Sequence, residues 1–254
     1  MTDALNGLVR GLYGVPCFEA PKCLTGRIRN GTLGDNTIQV NGTNYTPPVG
    51  RRAMIFSDAL LANLSGSAAT VFAKFTRGAN TYTISDTQSV SASNALVSFS
   101  RQRVLPVMSN GDYLIFNYAT SSCNAWVSII EFDNSCFIKG AFAQLSNGVN
   151  TLYTVPSGKQ ASVFNNRDMT PFRGAMFGYN TESARQVIPY FQKNGSSINC
   201  STSISNSVVG AWGSGAGFQM PAPLMNPGDT IKISTNATTA QAWAWFTYLE
   251  FPTQ

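Results

Sequence analysis

Four carboxylates, Asp112, Glu131, Asp229 and Glu250, are the side chains whose type best suits chemistry in this chain. Two acids flanking a glycosidic bond can act as general acid and as base or nucleophile. Each of the four, however, has a counterpart. Gly111-Asp112 is matched by Gly228-Asp229, and Glu131-Phe132 by Glu250-Phe251. A duplicated fold must duplicate its folding determinants, whereas a catalytic pair need not be present twice. The four acids are therefore read as turn and strand-end residues, and no catalytic residue is assigned.

Other chemistries fail on residue type. The chain has no histidine, which removes Ser-His and Cys-His nucleophile pairs and imidazole zinc sites. Five cysteines, Cys17, Cys23, Cys123, Cys136 and Cys200, form no Cys-x-x-Cys pair. Cys17 and Cys23 are spaced to bridge, but reduced thiols are the default reading. The stretch Trp212-Gly213-Ser214-Gly215-Ala216-Gly217 is glycine-rich but lacks the Lys-Ser/Thr of a phosphate loop. It reads as a surface loop, with Trp212 and Phe218 as a candidate contact or sugar-stacking pair. No cofactor or metal is expected.

What the sequence does carry is repetition. Tyr45-Thr46-Pro47-Pro48-Val49-Gly50-Arg51 returns as Tyr153-Thr154-Val155-Pro156-Ser157-Gly158-Lys159, 108 residues on. Leu105-Pro106-Val107-Met108-Ser109-Asn110-Gly111-Asp112 returns as Ala222 to Asp229 at an offset of 117, and Ala125-Trp126 to Glu131-Phe132 as Ala244-Trp245 to Glu250-Phe251 at 119. Three blocks in one order imply a single domain fold used twice. The growing offset predicts longer loops in the second copy. In each block Pro presets φ at a corner and Gly supplies positive φ, Asp opens the next strand and holds backbone N–H groups, and Trp126 and Trp245 are expected as core aromatics.

The elements that position these residues read as strands. A chain of 254 residues suits two domains of about 100 each. Only 11% of it is charged, against about 25% in ordinary soluble proteins, and Ser, Thr, Asn and Gly replace the missing charges. That composition disfavours helices. Short alternating runs such as Thr37–Val40, Thr70–Thr76, Asp112–Tyr118 and Ala242–Phe251 alternate with Gly, Pro and Asn turns, the pattern of a β-sandwich or jelly roll. Asp58–Leu64 is the one stretch that reads as a helical turn. Residues 1–30, rich in Gly and Pro with Leu8, Leu12, Tyr13, Val15 and Phe18 between them, read as an amino-terminal docking arm. Residues 31–133 form domain 1 and 134–254 domain 2.

The net charge is +5, from 17 basic and 12 acidic residues. Arg27, Arg29, Arg51, Arg52, Arg101 and Arg103 come in close pairs without interleaved aromatics, so nucleic acid is not the expected partner. The amino terminus lacks the apolar core of a signal peptide, and no run approaches the about 20 apolar residues of a membrane span.

The pattern Tyr-Thr-x-Pro-x-Gly-Lys/Arg, then Pro-Gly-Asp or Asn-Gly-Asp and a closing strand ending in Glu-Phe, resembles a β-sandwich module of tailed-bacteriophage virion proteins, the decoration and tail-associated proteins. Leu152 to Lys159 is the cleaner match; the first copy carries an extra Pro at Pro47. The resemblance implies a non-enzymatic capsid decoration, cement or tail-associated subunit. Its partners would be major capsid or tail proteins and further copies of itself, and its location the virion. The alternative is a receptor- or carbohydrate-binding virion protein that meets host glycan through the loops of domain 2.

Overall fold

The computed structural model describes residues 21–55, 60–63, 67–85, 87–92, 95–98, 106–121, 123–165, 170–171, 177–181, 186–199, 209–212, 223–237 and 242–253. The docking-arm residues Leu8, Leu12, Tyr13, Val15 and Phe18 lie outside them, as does Phe218. Every described element is a β-strand or a turn, and every strand pair is antiparallel. The chain divides into two compact units, one ending at Cys136 and the other running from Phe137 with Pro106 added.

In the first unit β1 (Lys22–Ile28), β2 (Gly34–Thr37), β3 (Gln39–Val40), β4 (Thr43–Asn44), β5 (Arg51–Ile55), β6 (Leu60–Asn63), β7 (Ala69–Arg77), β8 (Asn80–Thr83), β9 (Gln88–Val90), β10 (Ala95–Ser98), β11 (Tyr113–Tyr118) and β12 (Cys123–Asp133) build two sheets. One has the order β10-β6-β12-β1-β3-β4 with β5 on β12; the other is β2-β11-β7-β8 with β9 on β7. Alternation decides which faces meet. Val71, Ala73, Phe75, Leu114, Phe116 and Tyr118 from one sheet and Ala125, Val127 and Ile129 from the other are all at most 3% exposed, the period-2 burial of a sandwich.

The second unit holds β13 (Ile138–Leu145), β14 (Gly148–Thr154), β15 (Lys159–Asn165), β16 (Thr170–Pro171), β17 (Phe177–Asn180), β18 (Val187–Lys193), β19 (Ser196–Asn199), β20 (Val209–Trp212), β21 (Thr230–Thr235) and β22 (Ala242–Pro252). Its sheets run β16-β15-β22-β17-β20, with β13 on β22, and β14-β21-β18-β19. Val163, Phe177, Ala244 and Phe246 of one sheet share a core with Val187, Phe191, Ile231 and Ile233 of the other. Phe177 and Phe191 stand 6.3 Å apart across it. The chain is thus all-β, with jelly-roll-like sandwiches. In both units the closing strand takes the first strand on one side and the same later strands on the other: β12 with β1, β5 and β6, and β22 with β13, β15 and β17.

Several expectations need correction. The arm does not extend to residue 30: Lys22–Ile28 is a full strand, paired with β12 from Lys22↔Glu131 to Ile28↔Ala125. Asp58–Leu64 is not helical where it is described. Leu60–Asn63 is a strand pinned between β12 and β10, and Asn63 Nδ2 donates to the Ser67, Val90 and Ser91 carbonyls. Pairing on both sides overrides the weak helical pattern. Thr37–Val40 is not one strand: the chain changes sheets at Ile38, whose N–H donates to the Leu114 carbonyl while its own carbonyl accepts from Tyr45 N–H.

Candidate functional site

The residues singled out by repetition gather at strand ends, in the same way in each unit. Tyr45 is 8% exposed and donates to Glu131 Oε2 at 3.0 Å. Arg51 closes on the same carboxylate, Nε to Oε1 at 2.6 Å. Tyr153 donates to Glu250 Oε2 at 2.6 Å. Burial and the adjacent Glu131 charge push the Tyr45 phenol well above its ordinary range. Burial and the hydrogen bond to Glu250 do the same at Tyr153. Both phenols therefore stay protonated and act as donors.

The turns that lead to these groups also correspond. Arg51 N–H donates to the Pro48 carbonyl and Lys159 N–H to that of Pro156. Gly50 at φ 80° and Gly158 at φ 72° supply the left-handed residue that each corner requires. Next, Ala53 exchanges backbone hydrogen bonds with Met108, and Ala161 with Met225. These bridges fasten the first repeated block to the second.

Asp112 and Asp229 sit where the second block turns into β11 and β21, after Gly111 at φ 84° and Gly228 at φ 86°. Asp112 Oδ2 accepts Ser109 N–H at 2.8 Å, and Asp229 Oδ2 accepts Asn226 N–H at 2.7 Å. Their remaining partners differ. Asp112 takes Arg77 side-on through Nε and Nη2, whereas Asp229 takes the Asn194 N–H. Arg77 Nη2 reaches on to the Val107 carbonyl, and Lys193 Nζ reaches the corresponding Leu224 carbonyl. All four acids are thus bound into the fold.

Two further correspondences escaped the sequence reading. Asn36 cradles its own turn, accepting Thr32 N–H and donating to the Thr32 and Gly34 carbonyls. Asn150 does the same with Ser146 and Gly148. The signal was Gly34-x-Asn36-Thr37 against Gly148-x-Asn150-Thr151, at an offset of 114. That offset exceeds the 108 found at Tyr45, so here it is the first unit that is longer. The added chain is the β3–β4 hairpin, turning at Asn41 and Gly42. In addition, Ala119 N–H donates to the Thr70 carbonyl as Asn236 N–H does to that of Gln186.

The tryptophans do not sit in the sandwich interior. Trp126 pairs with Arg27 on the outward face of its sheet and is half-buried. Trp245, 1% exposed, also belongs to the outward row of β22, because Ala244 and Phe246 on either side of it face the core. It lies over Gly178, where a Cβ would fall 2.1 Å from its ring. Phe142 stacks on both Trp245 and Trp243, with centroids at 5.8 Å. Trp212 ends β20 opposite Phe177. Among the described residues no group of three or more His, Cys, Asp or Glu is placed to hold a metal, and no helix is long and apolar enough to cross a membrane.

No family model matches the chain, and no curated protein matches it. Among solved structures, a crystal structure of the STIV MCP is 10% identical at a TM-score of 0.24, covering 90% of this chain and 96% of that one. The atomic structure of Sulfolobus Turreted Icosahedral Virus is 10% identical at 0.26, covering 91% and 89%. The Spr0440 glycoside hydrolase domain, Endo-D, of Streptococcus pneumoniae R6 is 11% identical at 0.19, covering 91% of this chain and 33% of that one.

Proposed function

We propose that this chain is a non-enzymatic structural protein of a bacteriophage virion, a capsid decoration or cement subunit or a tail-associated one, built by copying one sandwich domain. The observation that carries the reading is the use made of the four candidate acids. Asp112, Glu131, Asp229 and Glu250 each hold strand ends together, in matching places in the two units. An acid engaged in fastening backbone or a tyrosine hydroxyl is poorly suited to general acid–base work, which needs a group free to exchange its proton with substrate.

The mechanism is adhesive. Low charge and abundant hydroxyl and amide side chains favour lattice contacts with capsid or tail proteins and with further copies. Binding to the assembled shell and not to its free parts stabilises the shell by mass action. The amino-terminal segment supplies the clamp on a neighbour. Because β1 belongs to the first sandwich, the clean test removes residues 1–20 and spares Lys22–Ile28. The truncated chain should remain folded and lose co-sedimentation with particles from cells that make this chain. Unchanged co-sedimentation would contradict the role given to the segment.

A further inference from the structure

Among the described residues, the β3–β4 hairpin is where the first unit adds strands to its closing-strand sheet. It extends that sheet beyond β1, whereas among the described residues β13 has no such neighbour. The register Asn44↔Gln39, Gln39↔Arg27 and Arg27↔Trp126 places four side chains in one row across four strands. Residues paired directly in antiparallel strands project to the same side. That side is the outward one, since Gly26 and Ile38, their chain neighbours, turn inward: a Cβ on Gly26 would meet Ile38, Val127 and Ile129. At about 4.8 Å between strands the row spans about 14 Å.

Its chemistry is unspent. Among the described residues neither Arg27 nor Trp126 has a hydrogen-bond, ion-pair or ring partner, and both are half-buried. Gln39 Nε2 donates to Asn44 Oδ1 at 3.3 Å, which leaves the Gln39 carbonyl and the Asn44 amide protons available. Thr25 and Ser128, paired with each other, add two exposed hydroxyls on the same face. Among the described residues of this face, Thr25, Asn124 and Ser128 flank the row, the apolar Met54, Ile130 and Phe132 lie buried beyond it, and none is a carboxylate.

We infer that this row is a binding platform for a carboxylate-bearing sugar, an acidic glycan. The Trp126 indole offers a flat apolar surface with a polar edge. Arg27 offers the planar fork that matches a carboxylate, and the amides and hydroxyls pair ring hydroxyls. Nucleic acid would call for a stripe of cations along the face, and amides and hydroxyls stand there instead. The inference goes beyond the virion reading and stands apart from it, because its test uses the isolated chain and no particle.

The test is a glycan array probed with the full-length chain, followed by titration of a retained acidic oligosaccharide, its methyl ester and a single-stranded oligonucleotide. The expected result is retention of carboxylated glycans, a loss of at least tenfold in affinity for Trp126→Ala and for Arg27→Ala, and no preference for acid over ester in the latter. Trp243→Ala, in the other unit, should bind as the parent does. If Trp126→Ala does not fold, Gln39→Ala and Arg27→Glu carry the test on half-buried side chains. No retained acidic glycan, equal affinity for the ester, tighter binding of the oligonucleotide, or unchanged affinity in Arg27→Ala would each overturn the inference.

Discussion

The Tyr45 hydroxyl donates to the Glu131 carboxylate at 3.0 Å across 86 residues of chain, joining the corner before β5 to the closing strand β12. Tyr45→Phe should cost about 1–2 kcal/mol, since it removes a buried hydrogen bond to a charged group but leaves Arg51 on that group. Tyr153→Phe should cost less, because Glu250 is partly exposed. The double variant should lose the sum within about 0.5 kcal/mol, as independent sites do. Denaturant unfolding of the three variants checks this.

Tyr118→Phe should behave in the opposite way. The Tyr118 hydroxyl is buried and has no hydrogen-bond partner among the described residues. Removing it abolishes a desolvated donor at no loss of bonding, so stability should hold or rise by up to about 1 kcal/mol. The same denaturation series reads this out.

Asp112 and Asp229 occupy matching turns with different partners, and their variants should separate on that basis. Asp112→Ala removes the carboxylate that Arg77 Nε and Nη2 share, as well as the acceptor of a backbone N–H, and leaves Arg77 its bond to the Val107 carbonyl. It should destabilise by about 2 kcal/mol, a figure that allows for the partial exposure of Arg77. Added salt should shrink the difference between Asp112→Ala and the parent protein more than that for Asp229→Ala, whose partners are two backbone N–H groups.

Gly178→Ala should be costly although it adds a single methyl. The new carbon would stand 2.1 Å from the Trp245 ring, which is fully buried and stacked on Phe142. Overpacking of this kind costs about 1–3 kcal/mol. Trp245→Leu in the same chain should recover part of the loss, and a thermal melt of single and double variants measures it.

The tyrosines also set an alkaline signature. Burial raises the phenols of Tyr45, Tyr118 and Tyr153 in the folded chain. A raised folded value means that the neutral phenol's contribution is complete below the unfolded value near 10 and is lost as pH climbs through the folded values. Spectrophotometric titration should show these three of the nine tyrosines ionising late, together with unfolding, in a step that moves earlier in the Tyr45→Phe and Tyr153→Phe variants.

Much of the architecture was legible because repetition marks it. Pro-x-Gly corners, Gly-Asp turns and Glu-Phe endings each became a contact that recurs in the second unit. Strand existence followed from alternation, as in β7 and β11, where every second residue is buried. What sequence reasoning missed depends on long-range pairing. Lys22–Ile28 looked like tail because Gly26 and the polar residues beside it weaken any strand pattern, yet β12 supplies its ladder. Trp126 and Trp245 looked like core because they are large and repeated. Strand parity instead sets them on outward faces, a fact that appears only once the inner residues Ala125, Val127, Ala244 and Phe246 are fixed. The platform on the first unit was hidden because Arg27, Gln39, Asn44 and Trp126 become neighbours only in the sheet.

Whether the chain serves as building material of a particle is decided by cryo-electron microscopy of particles from producing cells, with this subunit labelled. Label is expected at regular, symmetry-related positions on shell or tail, with two similar sandwich densities per copy. Particles that carry no label, while the chain is recovered free and turning over a substrate, would contradict it.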